Sequence, residues 1–433
     1  MDRFVSRKRP RSPLAPRPQD EDSTDLKLAL LMSLFPDMAL DALMEILVSS
    51  SGCVETTSAI IKAQAPPAKK RVPAPGTPAV QTSLASLLPS LPSTNRPLPP
   101  KGTTLHLYSP TDIATYTPCT LIHNFLPSSQ ANALLIELLA ESPHFSRPQF
   151  QLFSRTVSSP HSSSIYVSTP EEHHKHTSEY TYGGTYRSNV RQLTPHMRTV
   201  SARVQTTVNE QICLRPKLPF QSPQPWTPNA AFVNCYAGPA ESVGYHSDEL
   251  TYLGPRPVIG SLSLGVEREF RLRKIVPDDD EETQSHGQIS IHLPHNSLLI
   301  MHAEMQEEWK HAIAPARSIT LHPVSGNKRI NITYRWYRDS LHPRYTPRCQ
   351  CGEHTILRCV QRKQETRGRY MWMCYAGFAP GKIGCGYFQW AEFDDDGEPV
   401  WEGRQGKEGG EEAPRLRNFV EDAVEGPKNE TEI

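Results

Sequence analysis

Between Arg329 and Tyr337 polar and apolar residues alternate without a break. A strand turns successive side chains to opposite faces. Arg329, Asn331, Thr333 and Arg335 therefore share one face, and Ile330, Ile332, Tyr334 and Trp336 the other. Phe232 to Tyr236 alternates too, which places Asn234 and Tyr236 together. Gly238-Pro239 predicts the turn that follows. In Tyr245-His246-Ser247-Asp248 the histidine and the aspartate point the same way. Helical spacing appears nearer the start of the chain. Leu26, Leu30 and Leu34 predict a helix that Phe35-Pro36 stops. Leu40, Leu43, Ile46 and Leu47 predict a second, and Ala59, Ile60 and Ile61 a third. Leu121 to Pro127 reads as a strand leading into a helix capped by Ser128, with Leu134, Leu135, Leu138 and Leu139 facing a core.

A length of 433 residues suggests two or three domains. Formal net charge is zero, so no global field steers a polyanion and any such affinity rests on local patches. The 41 prolines concentrate outside the alternating strands and predict linkers. Five of the nine cysteines fall between Cys349 and Cys385. Without a secretory signal, such a cluster reads as metal binding, not disulfides. No apolar run has membrane length, so no membrane partner is expected.

His246, Asp248 and the later His311 can form a facial triad, two imidazoles and one carboxylate, which suits Fe(II) with coordination positions left open. His-x-Asp alone occurs often by chance. The strand from Arg329 adds weight. Two arginines and an amide facing inward require an anion, and a dicarboxylate would pair with arginine bidentately. The same alternation also fits an edge strand with a charged face in water.

These pieces resemble the AlkB family of Fe(II)/2-oxoglutarate dioxygenases. The matching motifs are Asn234-x-Tyr236, His246-x-Asp248-Glu249, the strand Ile259–Gly265, the hairpin around Leu298–Met301, Trp309-x-His311 and Arg329-x-Asn331-x-Thr333-x-Arg335. The resemblance covers roughly Thr117 to Arg338. It implies a double-stranded β-helix (jelly roll), with iron on His246, Asp248 and His311. It implies 2-oxoglutarate on Asn234, Tyr236, Arg329, Asn331 and Arg335, with ascorbate as a reductant in vitro. Such enzymes hydroxylate an N-alkyl carbon, and the hemiaminal falls apart to aldehyde and free base.

Phe150 to Met197 is where this family grips its substrate, and here the chain departs from the DNA-repair branches. Their Arg-based loop with a Tyr-Gly pair is not clearly present. Tyr180, Tyr182 and Arg187 could stack bases and contact phosphates over a flipped base, or form a Tyr-rich hairpin packed on the barrel. His173, His174 and His176 read as a solvated loop. The acidic run Asp278–Glu282 reads as a flexible hairpin insertion.

The ends carry further modules. The basic cluster Arg7–Arg11 reads as a nuclear import signal, or as an ordinary solvated charge run. Arg3 to Arg7, with Phe4, resembles a sliding-clamp-binding peptide, though Ser6 stands where an aliphatic residue is usual. The three-helix stretch with Phe35, Pro36, Ile60 and Ile61 resembles a ubiquitin-binding CUE domain; a generic helical bundle has the same pattern. Cys349, Cys351, Cys374 and Cys385 can hold Zn(II) tetrahedrally, with His354 an alternative ligand. The segment resembles a GRF-type zinc finger, with Gly368-Arg369-Tyr370 carrying Tyr where Phe is usual. That resemblance implies single-stranded nucleic acid as partner, with Arg369, Tyr370 and Trp372 in contact. Zinc as a structural staple alone is the other reading.

The expected organisation is multidomain. It has a basic tail (1–24), a small all-α CUE-like bundle (25–64), a Pro-rich linker (65–104), a mainly-β jelly roll with flanking helices (105–342), a small β zinc finger (346–395) and a disordered acidic tail (396–433). The expected function is nuclear, Fe(II)- and 2-oxoglutarate-dependent dealkylation of bases in DNA. The end domains would bind ubiquitin and single strands, all on flexible tethers. RNA or protein demethylation and an idle adaptor are the rival readings.

Overall fold

The computed structural model describes residues 98–401 except 153–154, 183–184, 278–285 and 377–381, together with scattered positions between 31 and 61. The chain forms two compact units, divided near Pro89. In the first, Leu31, Leu43, Leu47 and Ile61 are buried together, with Ile46 packed against them. Ile61, expected on a ubiquitin-facing surface, belongs to this core because helical spacing puts it on one face with the buried Thr57 and Ser58. Ile60 is half-buried, and Phe35, Pro36 and Phe4 lie outside the described residues.

Two sheets form the body of the second unit. The smaller joins β1 (Thr104–Leu107), β13 (Gln288–Leu293), β12 (Arg268–Lys274), β15 (Trp309–Ile313) and β10 (Val243–His246) in that order. The larger joins β2 (Cys119–His123), β14 (Ser297–Met301), β11 (Ile259–Gly265), β16 (Lys328–Arg335), β9 (Ala230–Ala237), β5 (Ser162–Val167) and β8 (Val190–Gln192). Two small hairpins, β3–β4 (Gln149–Leu152, Arg155–Ser158) and β6–β7 (Thr181–Tyr182, Thr185–Tyr186), complete this part.

The larger sheet is buried on both faces. Helices α2 (Ser128–Glu141) and α4 (Pro195–Cys213) cover its outer face, where Leu134, Leu138, Val200 and Val204 pack on Leu262, Ile330, Ile332 and Tyr334. Each such residue contributes about 1.5–3 kcal/mol relative to exposure. The inner face meets the smaller sheet through Leu299, Met301, Phe270 and Ile291. Alternation in β16 thus separates an apolar outer row from a polar inner row, and it is the inner row that sequence singled out. Ser128 is the first helical residue, not the cap: Pro127 precedes it without a side-chain bond. The chain is fixed there instead by Asn296, whose amide accepts from Leu126 N–H and donates to Leu126 C=O.

The tract expected as a solvated loop is helix α3 (Pro170–Ser178), following α1 (Pro110–Tyr116) and α2 in the chain. Thr169 caps it and Pro170 opens it. Its last turn buries His176 completely against Tyr180, Tyr182 and Tyr337.

The cysteine-bearing module is the sheet β17 (Thr355–Cys359), β18 (Tyr370–Cys374) and β19 (Phe388–Ala391). It does not hang on a tether. Leu357, Tyr370 and Trp372 form one buried cluster with Leu250 and Leu341 of the barrel. Ala391 lies in β19 and Phe393 packs edge-on against Tyr370, within the expected module, and Trp401, expected in the acidic tail, stacks near Trp372. These aromatics hold the segment down despite its acidic composition. Among the described residues no helix is long and apolar enough to cross a membrane.

Burial pushes the imidazoles of His176 and His302 down to about 3. Both are protonated in the unfolded chain below about pH 6.5. Between those values the unfolded state binds more protons, so stability present above pH 6.5 is lost as pH falls, by up to about 1.4 kcal/mol per pH unit for each group. Urea midpoints measured from pH 7 to 4 should fall, and His176→Phe should make the decline shallower. An unchanged slope in that variant would contradict the assignment of His176.

Candidate metal and co-substrate site

β10 and β15 pair so that His246 and His311 are register partners. Asp248 follows two residues after His246. Its Oδ1 lies 3.7 Å from His246 Nε2 and 3.5 Å from His311 Nε2, so the three donor atoms surround a common point. Asp248 and His311 are buried, while the His246 side chain keeps 39% of its surface exposed at the mouth. His246 Nδ1 donates to Gly244 C=O at 2.8 Å, the arrangement that leaves the Nε2 lone pair for a metal. Burial and the neighbouring His311 push the His246 imidazole down to about 4, so it is neutral and ready to ligate at pH 7. Asp248 N–H donates to Gln306 Oε1 at 2.7 Å. Burial works to raise the Asp248 carboxyl, but Arg335 and the two imidazoles hold it well below the usual carboxylate range.

Arg335, expected on the co-substrate, grips Asp248 Oδ2 at 2.6 Å from Nη2 and 2.8 Å from Nε, with its guanidinium 4.2 Å from the Phe232 ring centre. Arg329 is the deeper of the two and 1% exposed. Its Nη2 donates to Ser263 Oγ at 2.8 Å and Asn331 Oδ1 at 2.9 Å. Its Nε and Nη1 are buried with no hydrogen-bond partner among the described residues. Burial pushes the guanidinium down to about 10, with Tyr236 beside it working the other way, so it stays charged at neutral pH. Asn331 is committed to the frame. Its Oδ1 accepts from Ser261 as well, and its Nδ2 donates to Thr333. Asn234 sits opposite Asn331 across the β9–β16 ladder, next to Tyr236. His161 stacks on Tyr236 at 4.6 Å between ring centres.

Several positioning residues escaped sequence reading. Ser261 and Ser263 stand opposite Thr333 and Asn331, and two serines alternating inside a fully buried strand were the available signal. Arg268 donates to the carbonyls of Gly238, Pro239, Glu241 and Ala314, which pins the turn before β10. No local pattern announces that role, because all four partners are backbone.

The residues expected to contact nucleic acid fare differently. Tyr180 is buried among Tyr252, Tyr337 and His176, and Tyr182 is half-buried in the same aromatic group. Both rings pack into an aromatic cluster that includes Phe232, the ring under Arg335. Arg187 lies over Tyr182, and Tyr186 is the exposed aromatic of that hairpin. Tyr370 and Trp372 are also buried, so they are core residues of the module and not stacking platforms. Their burial follows from alternation in β18, which turns Tyr370, Trp372 and Cys374 inward together. Arg369 is exposed and lies 3.7 Å over Trp390. Lys310, on the barrel, is depressed by burial and then by Arg358 and Arg362 of the module, so these three cations lie near one another where the two parts meet.

Cys349, Cys351, Cys374 and Cys385 bring four sulfurs within 4.8 Å of one another, and His354 is outside that group. The 3.7 Å spacing of Cys351–Cys374 matches the roughly 3.8 Å that tetrahedral Zn–S bonds impose, while Cys349–Cys351, at 2.9 Å, is shorter and would open on binding. A further cluster, His106, Glu269 and His292, has metal-competent spacing but spends Glu269 on Arg271.

The two arginines should behave oppositely. Arg335→Met strands the Asp248 carboxylate and should destabilise the metal-free protein by about 3–5 kcal/mol. Arg329→Met removes a charge with two unmade bonds and should be neutral or stabilising by about 1–4 kcal/mol. Urea unfolding without added metal separates them; equal losses would contradict this account of the pocket.

The sequence model of the 2OG-Fe(II) oxygenase superfamily matches residues 118–335, half of the chain. The alpha-ketoglutarate-dependent dioxygenase alkB homolog 3 of Bos taurus is 36% identical over 108 residues, 25% of this chain and 36% of that protein. The DNA oxidative demethylase ALKBH2 of Arabidopsis thaliana is 32% identical over 124 residues, 25% of this chain and 37% of that protein. The matched stretch thus spans little more than a third of each of these relatives. The structure of OsALKBH1 superposes with a TM-score of 0.35 at 15% identity, covering 51% of this chain and 98% of that one. With the matched segment running from β2 to the end of β16 and enclosing His246, Asp248, His311 and Arg329, the chain belongs to the 2OG-Fe(II) oxygenase superfamily.

Proposed function

We propose that this protein oxidatively dealkylates N-alkylated bases in nucleic acid, DNA foremost, using Fe(II) and 2-oxoglutarate. The observation that carries the reading is the half-satisfied guanidinium of Arg329, buried on the same strand face as the residue that grips Asp248. A buried cation with two unmade bonds fits a ligand carboxylate. The donor set of His246, Asp248 and His311 fits Fe(II). Arg329 would take the distal carboxylate of 2-oxoglutarate, with Tyr236 beside it. When bound, the iron supplies oxygen activation, coupled to decarboxylation of 2-oxoglutarate to succinate.

The chain's own residues supply geometry around that chemistry. Arg335 fixes the orientation of Asp248, and Gly244 fixes the tautomer of His246. The Tyr182–Phe232–Tyr337 cluster packs beside Arg335, and the exposed edge of His246 marks the mouth where an alkyl group would reach. The cation group of Lys310, Arg358 and Arg362, with Arg369 beyond it, suits a phosphate backbone. It favours nucleic acid over protein as substrate. In the same reading the four thiols hold Zn(II) as a GRF-type staple, the N-terminal bundle binds ubiquitin, and the basic cluster Arg7–Arg11 directs the protein to the nucleus.

Mass spectrometry of oligonucleotides carrying 1-methyladenine, 3-methylcytosine or N-alkylguanine, in DNA and RNA, tests the reading. With Fe(II), 2-oxoglutarate and ascorbate, at least one alkyl group should be lost, and His246→Ala should abolish the loss while leaving the fold intact. 2-Oxoglutarate turnover without loss from any base would contradict the proposed substrate.

A further inference from the structure

We infer that the cysteine module is a wall of the oxygenase site, and that Gln361, which follows its first strand, is a positioning residue for the metal-binding turn. This rests on the proposed metal role of His246, Asp248 and His311. The turn from Ser247 to Thr251 is held by the barrel strands, through Trp309 C=O on Ser247 and Arg335 on Asp248, and also by residues outside them. Gln361 Nε2 lies 3.4 Å from Ser247 Oγ, between the two metal-facing residues, and donates to Gln306 C=O at 3.1 Å. Gln306 in turn accepts the Asp248 N–H through its side chain. Gln361 therefore meets the turn on both sides of Asp248's backbone anchor.

Two further contacts act on the same segment, and a third on the short helix that carries Gln306. Tyr375 donates to Glu249 at 2.9 Å, and Leu357 N–H donates to Thr251 Oγ1 at 3.3 Å. Tyr370 donates to Glu307 at 2.6 Å, inside the protein. Glu307 also accepts from the Arg256 N–H and pairs with the Arg256 guanidinium, both at 2.8 Å. That clamp fixes α5 (Met305–Glu308), the short helix that presents Gln306 and leads directly into the strand of His311. Two of the three metal-facing residues are thus oriented through contacts that begin in the module. A module that served only to bind a strand would have no need to touch this turn three times and α5 twice.

Calorimetric titration of the full-length protein with Mn(II) tests the inference, since Mn(II) prefers oxygen and nitrogen donors to the thiols. His246→Ala serves as the blank for binding elsewhere, including at His106, Glu269 and His292. Gln361→Met, close in size but without the N–H donors, should weaken the His246-dependent affinity about tenfold, in line with other residues that orient metal ligands. Tyr370→Phe should weaken it too. Gln364→Ala, exposed in the same module, should not. Faster amide exchange across residues 247–251 in Gln361→Met would accompany the loss. Wild-type affinity in both Gln361→Met and Tyr370→Phe would overturn the inference while leaving the site reading intact. No His246-dependent binding in the wild type would overturn both.

Discussion

Asp248 is a carboxylate 7% exposed, and an anion so placed must be paired or it will not ionise. Much of the unit answers that demand. Arg335 reaches it from the end of β16, two imidazoles face its other oxygen, and Gln306 takes its backbone N–H. Arg335 is itself sheltered by Phe232 and the tyrosine cluster, so the hairpin and α3 are drawn into the same arrangement. The module's grip on α5 extends the chain of dependence beyond the barrel.

Arg329 shows the complementary principle. Its neighbours satisfy one end of the guanidinium and leave the other unmet, on a strand whose outer face is locked into apolar packing. A cation built into such rigid surroundings cannot relieve itself by moving. It costs stability in the empty protein and returns that energy when an anion arrives. One arginine is paired internally and shapes the site; the other is left open, which is what the proposed ligand role of Arg329 rests on.

The period-two pattern made the strands of the site legible. Arg329, Asn331, Thr333 and Arg335 do line one face, and His246 and Asp248 do converge with His311 across a sheet. Long-range partnership was not legible. Nothing in the sequence around Arg335 says that its partner is Asp248, 87 residues away. Alternation also misled where both faces are buried. Tyr180, Tyr370 and Trp372 look like stacking platforms in a basic, aromatic-rich string, yet they face inward because each strand or turn beneath them has a second layer to pack against. The same gap hid the docking of the module. A strand such as Thr355–Cys359 looks self-sufficient until Leu250 and Leu341 are seen to cover it.

The most direct test of the account is 2-oxoglutarate binding by calorimetry under anaerobic conditions, with and without Mn(II). The account predicts one site per chain, tight binding only when the metal is present, and loss of that binding in Arg329→Met. Failure to bind 2-oxoglutarate with Mn(II) present, or undiminished binding in Arg329→Met, would contradict the role given to the open guanidinium.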